Sequence, residues 1–199
     1  MQRLTAALLA MTAALASAAQ AVEPAPLEPA LFEPRSVDLP ALIACRDTPE
    51  NFMALAIALQ DPLNAVALGW RPLPQANMFM SEYALTAPIE VFGHRSDHIA
   101  FAGSSVMAIV DLPDPRLLAK ELDLETGIDT PEKAMFGKEL VSEEFQDPAS
   151  GATFIRSLVL NVSNVSSHPG KTLVGCTYSI DPEEEIPDEP EPQAPVSAE

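Results

Sequence analysis

The chain has 199 residues, of which 29 are Asp or Glu and 11 are Lys or Arg, so its formal net charge is −18. Nucleic acid and anionic membrane surfaces repel a chain this acidic, and we expect neither as a partner. Its length fits one domain with short segments at either end.

The first 21 residues have the pattern of a secretory signal peptide. Arg3 precedes an uncharged apolar run over residues 4–15, which ends in small residues up to Ala21. This run is shorter than the roughly 20 residues that span a bilayer, so we predict cleavage after Ala21 rather than a membrane anchor. Without Arg3 the net charge is 10 − 29 = −19. The pattern predicts an exported protein, periplasmic or secreted, with no stable membrane insertion after cleavage.

Proline-rich segments flank the predicted domain. Residues 22–39 form a proline-rich lead-in, and residues 181–199 contain eight acidic residues, five prolines and no basic residue. Such a composition offers too little apolar surface to offset the entropy of ordering. We therefore predict an extended lead-in at 22–39, a folded domain at 40–181 and a disordered tail at 182–199. A tail that engages a partner is the alternative to a merely solubilising end.

Helix starts are predicted by a capping residue followed by proline, a pair that occurs at Thr48, Asp114 and Thr130. After the first start, apolar residues between Phe52 and Leu59 recur with helical spacing. The second helix is predicted to be short, and the third to be about one turn long.

Strands are predicted over most of the remaining domain. Apolar and polar residues alternate from Tyr83 to Val91, which is typical of a strand with one wet face, and Pro88 favours an edge position. Further strands are predicted within residues 99–101, 105–110, 139–145, 153–162 and 172–180. The fold class is therefore α+β, with helices packed on a mainly antiparallel sheet in the order α-βββ-α-βββ.

The two cysteines, Cys45 and Cys176, predict one disulfide bond. An even count in an exported chain favours a bridge, because the compartment oxidises thiols. The alternatives are a metal pair or a reactive thiol, but neither cysteine lies in a CxxC or within a few residues of a histidine. Alternation places Cys176 on the apolar face of the last strand, so the bridge would close the domain across the start of the first helix.

The segment 93–98 holds two of the three histidines, His94 and His98. Strand alternation places both on the outward face near Glu90, and two imidazoles with a carboxylate can hold zinc or copper. A solvated hairpin tip is the alternative that we favour, because polar residues belong there. Trp70 is a candidate aromatic floor for a pocket, against the alternative of a core aromatic at a bend.

No local catalytic or cofactor motif occurs in the sequence, so we predict no cofactor. The absence of such motifs favours a small binding or interaction module of the cell envelope, whose ligand is another envelope protein or a small molecule. One alternative is an enzyme whose site is assembled from distant residues, which leaves no local motif. The other is a structural or accessory protein whose tail engages a partner. We leave enzymatic activity open and lean against it.

Overall fold

The computed structural model describes residues 33–183. The predicted signal peptide, residues 22–32 of the lead-in and residues 184–199 of the tail lie outside this range. The predictions of export and of a disordered tail therefore stay predictions. Within the described range, every helix is too short or too polar to cross a membrane.

In the part of the chain that the structure describes, four short α-helices begin in the same way. The side chain of Asp38, Thr48, Asp61 or Asp114 accepts a hydrogen bond from a backbone N–H of the first turn, and a proline occupies one of the first two helical positions. This arrangement confirms the predicted starts at Thr48 and Asp114, and it also begins two helices that we did not predict. The helices are α1 (Leu39–Ile43), α2 (Pro49–Ala58), α3 (Pro62–Ala67) and α4 (Pro115–Glu121), preceded by a 3-10 turn at Pro34–Ser36.

Within residues 33–183, eight strands form one antiparallel sheet with the order β1-β2-β3-β4-β8-β7-β6-β5. The strands are β1 (Trp70–Pro72), β2 (Ser81–Val91), β3 (His94–Ala102), β4 (Ser105–Val110), β5 (Glu125–Asp129), β6 (Ala134–Gln146), β7 (Thr153–Ser163) and β8 (Thr172–Pro182). The predicted antiparallel sheet is confirmed. The predicted order α-βββ-α-βββ is not confirmed. Three helices precede the first four strands, and α4 precedes the other four. More residues lie in strands than in helices.

The helix predicted at Thr130 is wrong, because this residue closes the turn between β5 and β6. The Thr130 amide and hydroxyl both donate to the Lys133 carbonyl, at 2.8 and 3.1 Å, and the hydroxyl accepts from the Lys133 amide at 3.0 Å. The threonine therefore satisfies the backbone of a β-turn with the same oxygen that would otherwise cap a helix.

One face of the sheet, here called the helix-covered face, packs against α1, α2 and α4. Leu42 of α1 and Leu55 of α2 are fully buried there. The predicted bridge between Cys45 and Cys176 is present, with a Cα–Cα distance of 5.1 Å. The hydroxyl of Tyr178 donates to the Leu42 carbonyl at 2.7 Å, so β8 is tied to α1 by a hydrogen bond as well as by the covalent link.

The opposite face carries a smaller apolar cluster and is here called the loop-covered face. Its buried apolar side chains are Met80, Ala100, Ile109 and Leu173, with Val165 packed against them. Met80 belongs to the segment before β2, and Val165 belongs to the loop between β7 and β8, residues 164–171. The central strands are therefore covered on both sides, but by loops rather than by helices on this second side.

Candidate functional site

Three side chains that can ligate a metal meet on the loop-covered face: Glu82, His98 and His168. Glu82 lies on β2 and His98 on the neighbouring β3, while His168 enters from the loop between β7 and β8. The Oε2 atom of Glu82 lies 2.9 Å from Nε2 of His98 and 3.0 Å from Nε2 of His168. One ligand atom from each residue falls within 4.8 Å of the others, so the three form one compact group.

The carboxylate of Glu82 is the most deeply buried member of this cluster. Its side chain is 3% exposed, against 9% for His168 and 26% for His98. Oε2 has both imidazoles beside it, but Oε1 is buried without a hydrogen-bond partner among the described residues. A buried carboxylate with an unpaired oxygen costs free energy, and such groups in native proteins call for an explanation.

Neighbouring polar groups hold the imidazole of His168 and the backbone of His98. The Ser167 hydroxyl lies 2.9 Å from Nδ1 of His168, and Asn77 donates to the same hydroxyl oxygen at 3.4 Å. On β3, the Ser96 hydroxyl accepts from the His98 amide at 3.1 Å. Because Nδ1 of His168 is engaged by serine, its Nε2 is the nitrogen directed at Glu82, which is the arrangement that orients a metal-ligating imidazole.

Of the residues singled out in the sequence, His98 belongs to this cluster, and it meets Glu82 and His168 there. Glu90 is paired with Arg95 in the ladder between β2 and β3, and His94 is paired with Val91 beside the turn. The structure thus places His94 and Glu90 outside the cluster that holds His98.

An irregularity in the ladder separates the two groups. Regular pairing of β2 with β3 stops after Ala84 and resumes at Ile89, so residues 85–88 face the single residue Asp97. Pro88 lies in this interval and cannot donate to a ladder. Simple counting along the hairpin therefore fails to show which polar residues of the two strands are neighbours.

Sequence reasoning missed Glu82 and His168. Glu82 falls on the face of β2 that alternation assigns to solvent, opposite the buried Tyr83 and Leu85. It is buried because Met80 and the loop bearing His168 cover that face. The available signal was that Glu82 and His98 share the outward face of adjacent strands, but nothing local indicates the loop that covers them.

Trp70 begins β1 and is half-buried on the other side of the sheet. Its ring centroid lies 5.9 Å from that of Tyr83 and 6.4 Å from that of Phe101, so it extends the aromatic core. Trp70 also lines a cleft of about 500 Å³ together with Leu55 and Leu85. This cleft lies away from the Glu82 cluster, on the helix-covered face.

A second groove, of about 310 Å³, runs between α2 and the end of β8. Met53 and Ile57 are 50% and 59% exposed at its rim. Its lining is mostly apolar, whereas the Glu82 cluster concentrates buried polar atoms.

No protein-family model, curated protein or solved structure matches this chain. The function is therefore inferred from the geometry of the Glu82 cluster. Two imidazoles directed at one buried carboxylate can share protons with it or can hold a cation between them.

Proposed function

We propose that this chain is a small exported binding module and that it binds a cation on the loop-covered face through Glu82. The signal-peptide pattern supports export, and the disulfide bond fits an oxidising compartment.

The observation that carries the proposal is the unpaired oxygen Oε1 of Glu82. Folding buries this carboxylate at a cost that apolar residues on the same face do not incur. A cation that contacts the carboxylate would balance its buried negative charge, which both oxygens share. The apolar groove beside α2 supports a binding function less strongly, because exposed apolar side chains are common on protein surfaces, whereas an orphaned buried carboxylate oxygen is rare.

The test is cation retention by the chain that remains after cleavage, residues 22–199, prepared without an affinity tag. The protein is freed of metal with a chelator, dialysed separately against Mg²⁺, Ca²⁺, Mn²⁺, Zn²⁺ or Cu²⁺, and analysed by mass spectrometry of the elements. We expect about one equivalent of at least one ion, and its loss in Glu82→Gln. Glu90→Gln is the matched control and should retain the ion. Retention of no ion, or equal retention by Glu82→Gln, would contradict the proposal.

An enzyme is the second candidate, and one specific contact favours it. Ser167, His168 and Glu82 form a hydrogen-bonded series, with 2.9 Å from the serine hydroxyl to Nδ1 and 3.0 Å from Nε2 to the carboxylate. Nucleophilic serine enzymes use the same three groups as nucleophile, base and orienting acid, but there the serine contacts Nε2 and the acid contacts Nδ1, the reverse of the arrangement here. A fluorophosphonate probe separates the two functions. Labelling that disappears in Ser167→Ala would favour the enzyme, and the binding module predicts no labelling.

The predicted export and cleavage can be tested separately from cation binding. The intact mass of protein recovered from the oxidising compartment should correspond to a chain that begins at Val22. A mass that includes residues 1–21 would contradict export with cleavage.

A further inference from the structure

We propose that the bound cation is a transition-metal ion of the zinc class, held by Glu82, His98 and His168, and that its fourth coordination position accepts a small anion. This inference rests on the proposed function and adds the class of ion, the ligand set and a second ligand.

The donor set selects the class of ion. Two imidazole nitrogens and one carboxylate oxygen suit Zn²⁺, Co²⁺, Ni²⁺ and Cu²⁺. Ca²⁺ and Mg²⁺ instead prefer shells of six or more oxygen atoms, which these residues do not supply. The ion that binds here should therefore belong to the first group.

The two distances from the carboxylate to the imidazoles are close to those of a tetrahedral zinc shell, and the two imidazole nitrogens lie within 4.8 Å of each other. With bonds of about 2.0 to 2.2 Å, neighbouring ligand atoms lie roughly 3.4 Å apart. The two distances from Oε2 of Glu82 are 2.9 Å to His98 and 3.0 Å to His168. An ion that replaces the shared protons needs the atoms to separate by only about half an ångström. His168 lies on a loop, so its side chain can shift without breaking a strand pair.

The surroundings of His168 support a role as a ligand. Its Nδ1 is engaged by the Ser167 hydroxyl at 2.9 Å, which leaves Nε2 for the metal and holds the ring in place. Groups that contact a metal-binding imidazole in this way typically change metal affinity by roughly 10- to 100-fold when they are removed. We therefore assign Ser167 as a positioning residue of the metal site.

The fourth position follows from counting ligands and charge. Within residues 33–183, the compact group comprises these three side chains, whereas zinc is four-coordinate. A divalent ion with one carboxylate and two neutral imidazoles has a formal charge of +1, which attracts an anion. His98 is the most exposed of the three at 26%, so the anion should approach from its side.

The first experiment measures Zn²⁺ affinity by calorimetry on the tag-free chain 22–199. Glu82→Gln and His168→Gln should each weaken binding by more than about 100-fold, since even the supporting groups of such sites contribute 10- to 100-fold. Ser167→Ala should weaken it roughly 10-fold. His94→Gln is the matched control, because it changes the one histidine outside the cluster, and it should bind like the wild type.

The outcomes separate this inference from the proposed function. Retention of Ca²⁺ or Mg²⁺ through Glu82, without Zn²⁺ binding, would overturn the inference and leave the proposed function in place. Retention of no ion would overturn both. If His168→Gln does not fold, as judged by its circular dichroism, Ser167→Ala, which acts through His168, replaces it as the test of this ligand. Zn²⁺ binding that is unchanged in Glu82→Gln, or lost in His94→Gln, would overturn the proposed zinc-class site.

The second experiment tests the open position with Co²⁺ in place of Zn²⁺. The cobalt form of a four-coordinate site absorbs visible light strongly, and its spectrum changes when a ligand is exchanged. We expect azide to change the spectrum in a saturable way in the wild type and in His94→Gln. A spectrum that azide does not alter would show that the protein fills the fourth position and would overturn this part of the inference.

Discussion

The two faces of the central sheet bury different kinds of side chain. The helix-covered face packs a large apolar cluster that includes Leu42, Leu55 and Ile99, and the disulfide bond closes it. Within residues 33–183, the apolar cluster of the loop-covered face comprises four buried residues, beside which Glu82 and His168 lie. One sheet therefore carries a conventional core on one side and a polar centre on the other.

This difference indicates how the fold can tolerate an unpaired buried carboxylate. Apolar burial stabilises by roughly 25 cal/mol per Å², and most of the buried apolar side chains lie against the helices. The loop-covered face can then hold groups that cost stability, as functional sites commonly do. Substitutions on the helix-covered face should accordingly change stability, and substitutions in the Glu82 cluster should change cation binding.

The largest effect is expected from Cys45→Ala. The bridge joins residues 131 positions apart. In the chain-entropy model, closing a loop of that length lowers the entropy of the unfolded chain and so stabilises the folded state by roughly 4 to 5 kcal/mol. Denaturant unfolding should show a loss of this order, with equal losses for Cys176→Ala and for the double variant, because all three remove the same bond. Folded molecules should still bind Zn²⁺, since the cluster lies on the other face.

Mass mapping without reduction gives the direct check on the bridge. Two free thiols in protein recovered from the oxidising compartment would contradict it. Loss of Zn²⁺ binding in molecules that remain folded would contradict the separation of the two faces.

A smaller loss is expected from Gly175→Ala in β8. A Cβ at this position would lie 2.6 Å from Cα of Met107, its partner on β4, so the strands must shift. Overpacking of this kind costs about 1 to 3 kcal/mol. Gly137→Ala is the control, because its nearest neighbour is the Asn161 side chain at 3.2 Å, which can yield. Equal melting temperatures for the two variants would contradict the close approach of β4 and β8.

Tyr178→Phe should cost about 1 kcal/mol, the usual contribution of one hydrogen bond, here the one to Leu42. The ring should still stack on Phe52, whose centroid lies 5.0 Å away. Urea unfolding at neutral pH measures this loss. A variant as stable as the wild type would show that the hydroxyl contributes nothing to the helix-covered face.

The same face should also lose stability in alkali. Burial raises the pKa of Tyr178 and of Tyr83, the only two tyrosines in the chain. In the unfolded chain both tyrosines ionise near pH 10, whereas in the folded chain they stay protonated at that pH. The free energy of unfolding should therefore fall as the pH rises above 10. In Tyr178→Phe the free energy of unfolding should fall less steeply with pH. In Tyr83→Phe the decrease caused by ionisation of Tyr178 should remain. A stability that does not change between pH 9 and 11 would contradict the burial of both hydroxyls.

The smallest effect is expected from truncation after Glu183. The amide of Glu183 donates to the Thr153 carbonyl at 3.1 Å, so the cut should follow this residue. The acidic, proline-rich remainder has little apolar surface, and its removal should change the melting temperature by no more than about two degrees. A drop of many degrees would show that the tail covers one of the two faces.

Identical local patterns led to correct and incorrect predictions of helices. Thr48 and Thr130 both precede proline and glutamate. Thr48 begins α2 because apolar residues with helical spacing follow it and pack against the sheet. Thr130 lies between two strands that pair with each other, so its hydroxyl closes a turn instead. A capping pattern is therefore informative only together with the periodicity that follows it.

The sequence by itself determined the features that depend on spacing along the chain. Alternation placed Cys176 on the inner face of its strand, and the even number of cysteines predicted its bond to Cys45, which the structure confirms. The antiparallel sheet and two of the helix starts also followed from local patterns, because hydrogen bonding and side-chain direction in these elements are set by near neighbours.

Only the tertiary structure decided which polar side chains meet. Glu82 and His168 are 86 positions apart, and their contact requires β8 to pair with β4 and the loop before β8 to cover β2. Strand alternation gives the face on which a side chain lies but not what covers that face. Strand alternation therefore predicts a solvent-exposed Glu82, whereas the folded chain buries it at the centre of the cluster. Burial depends on long-range packing, which the local pattern does not contain.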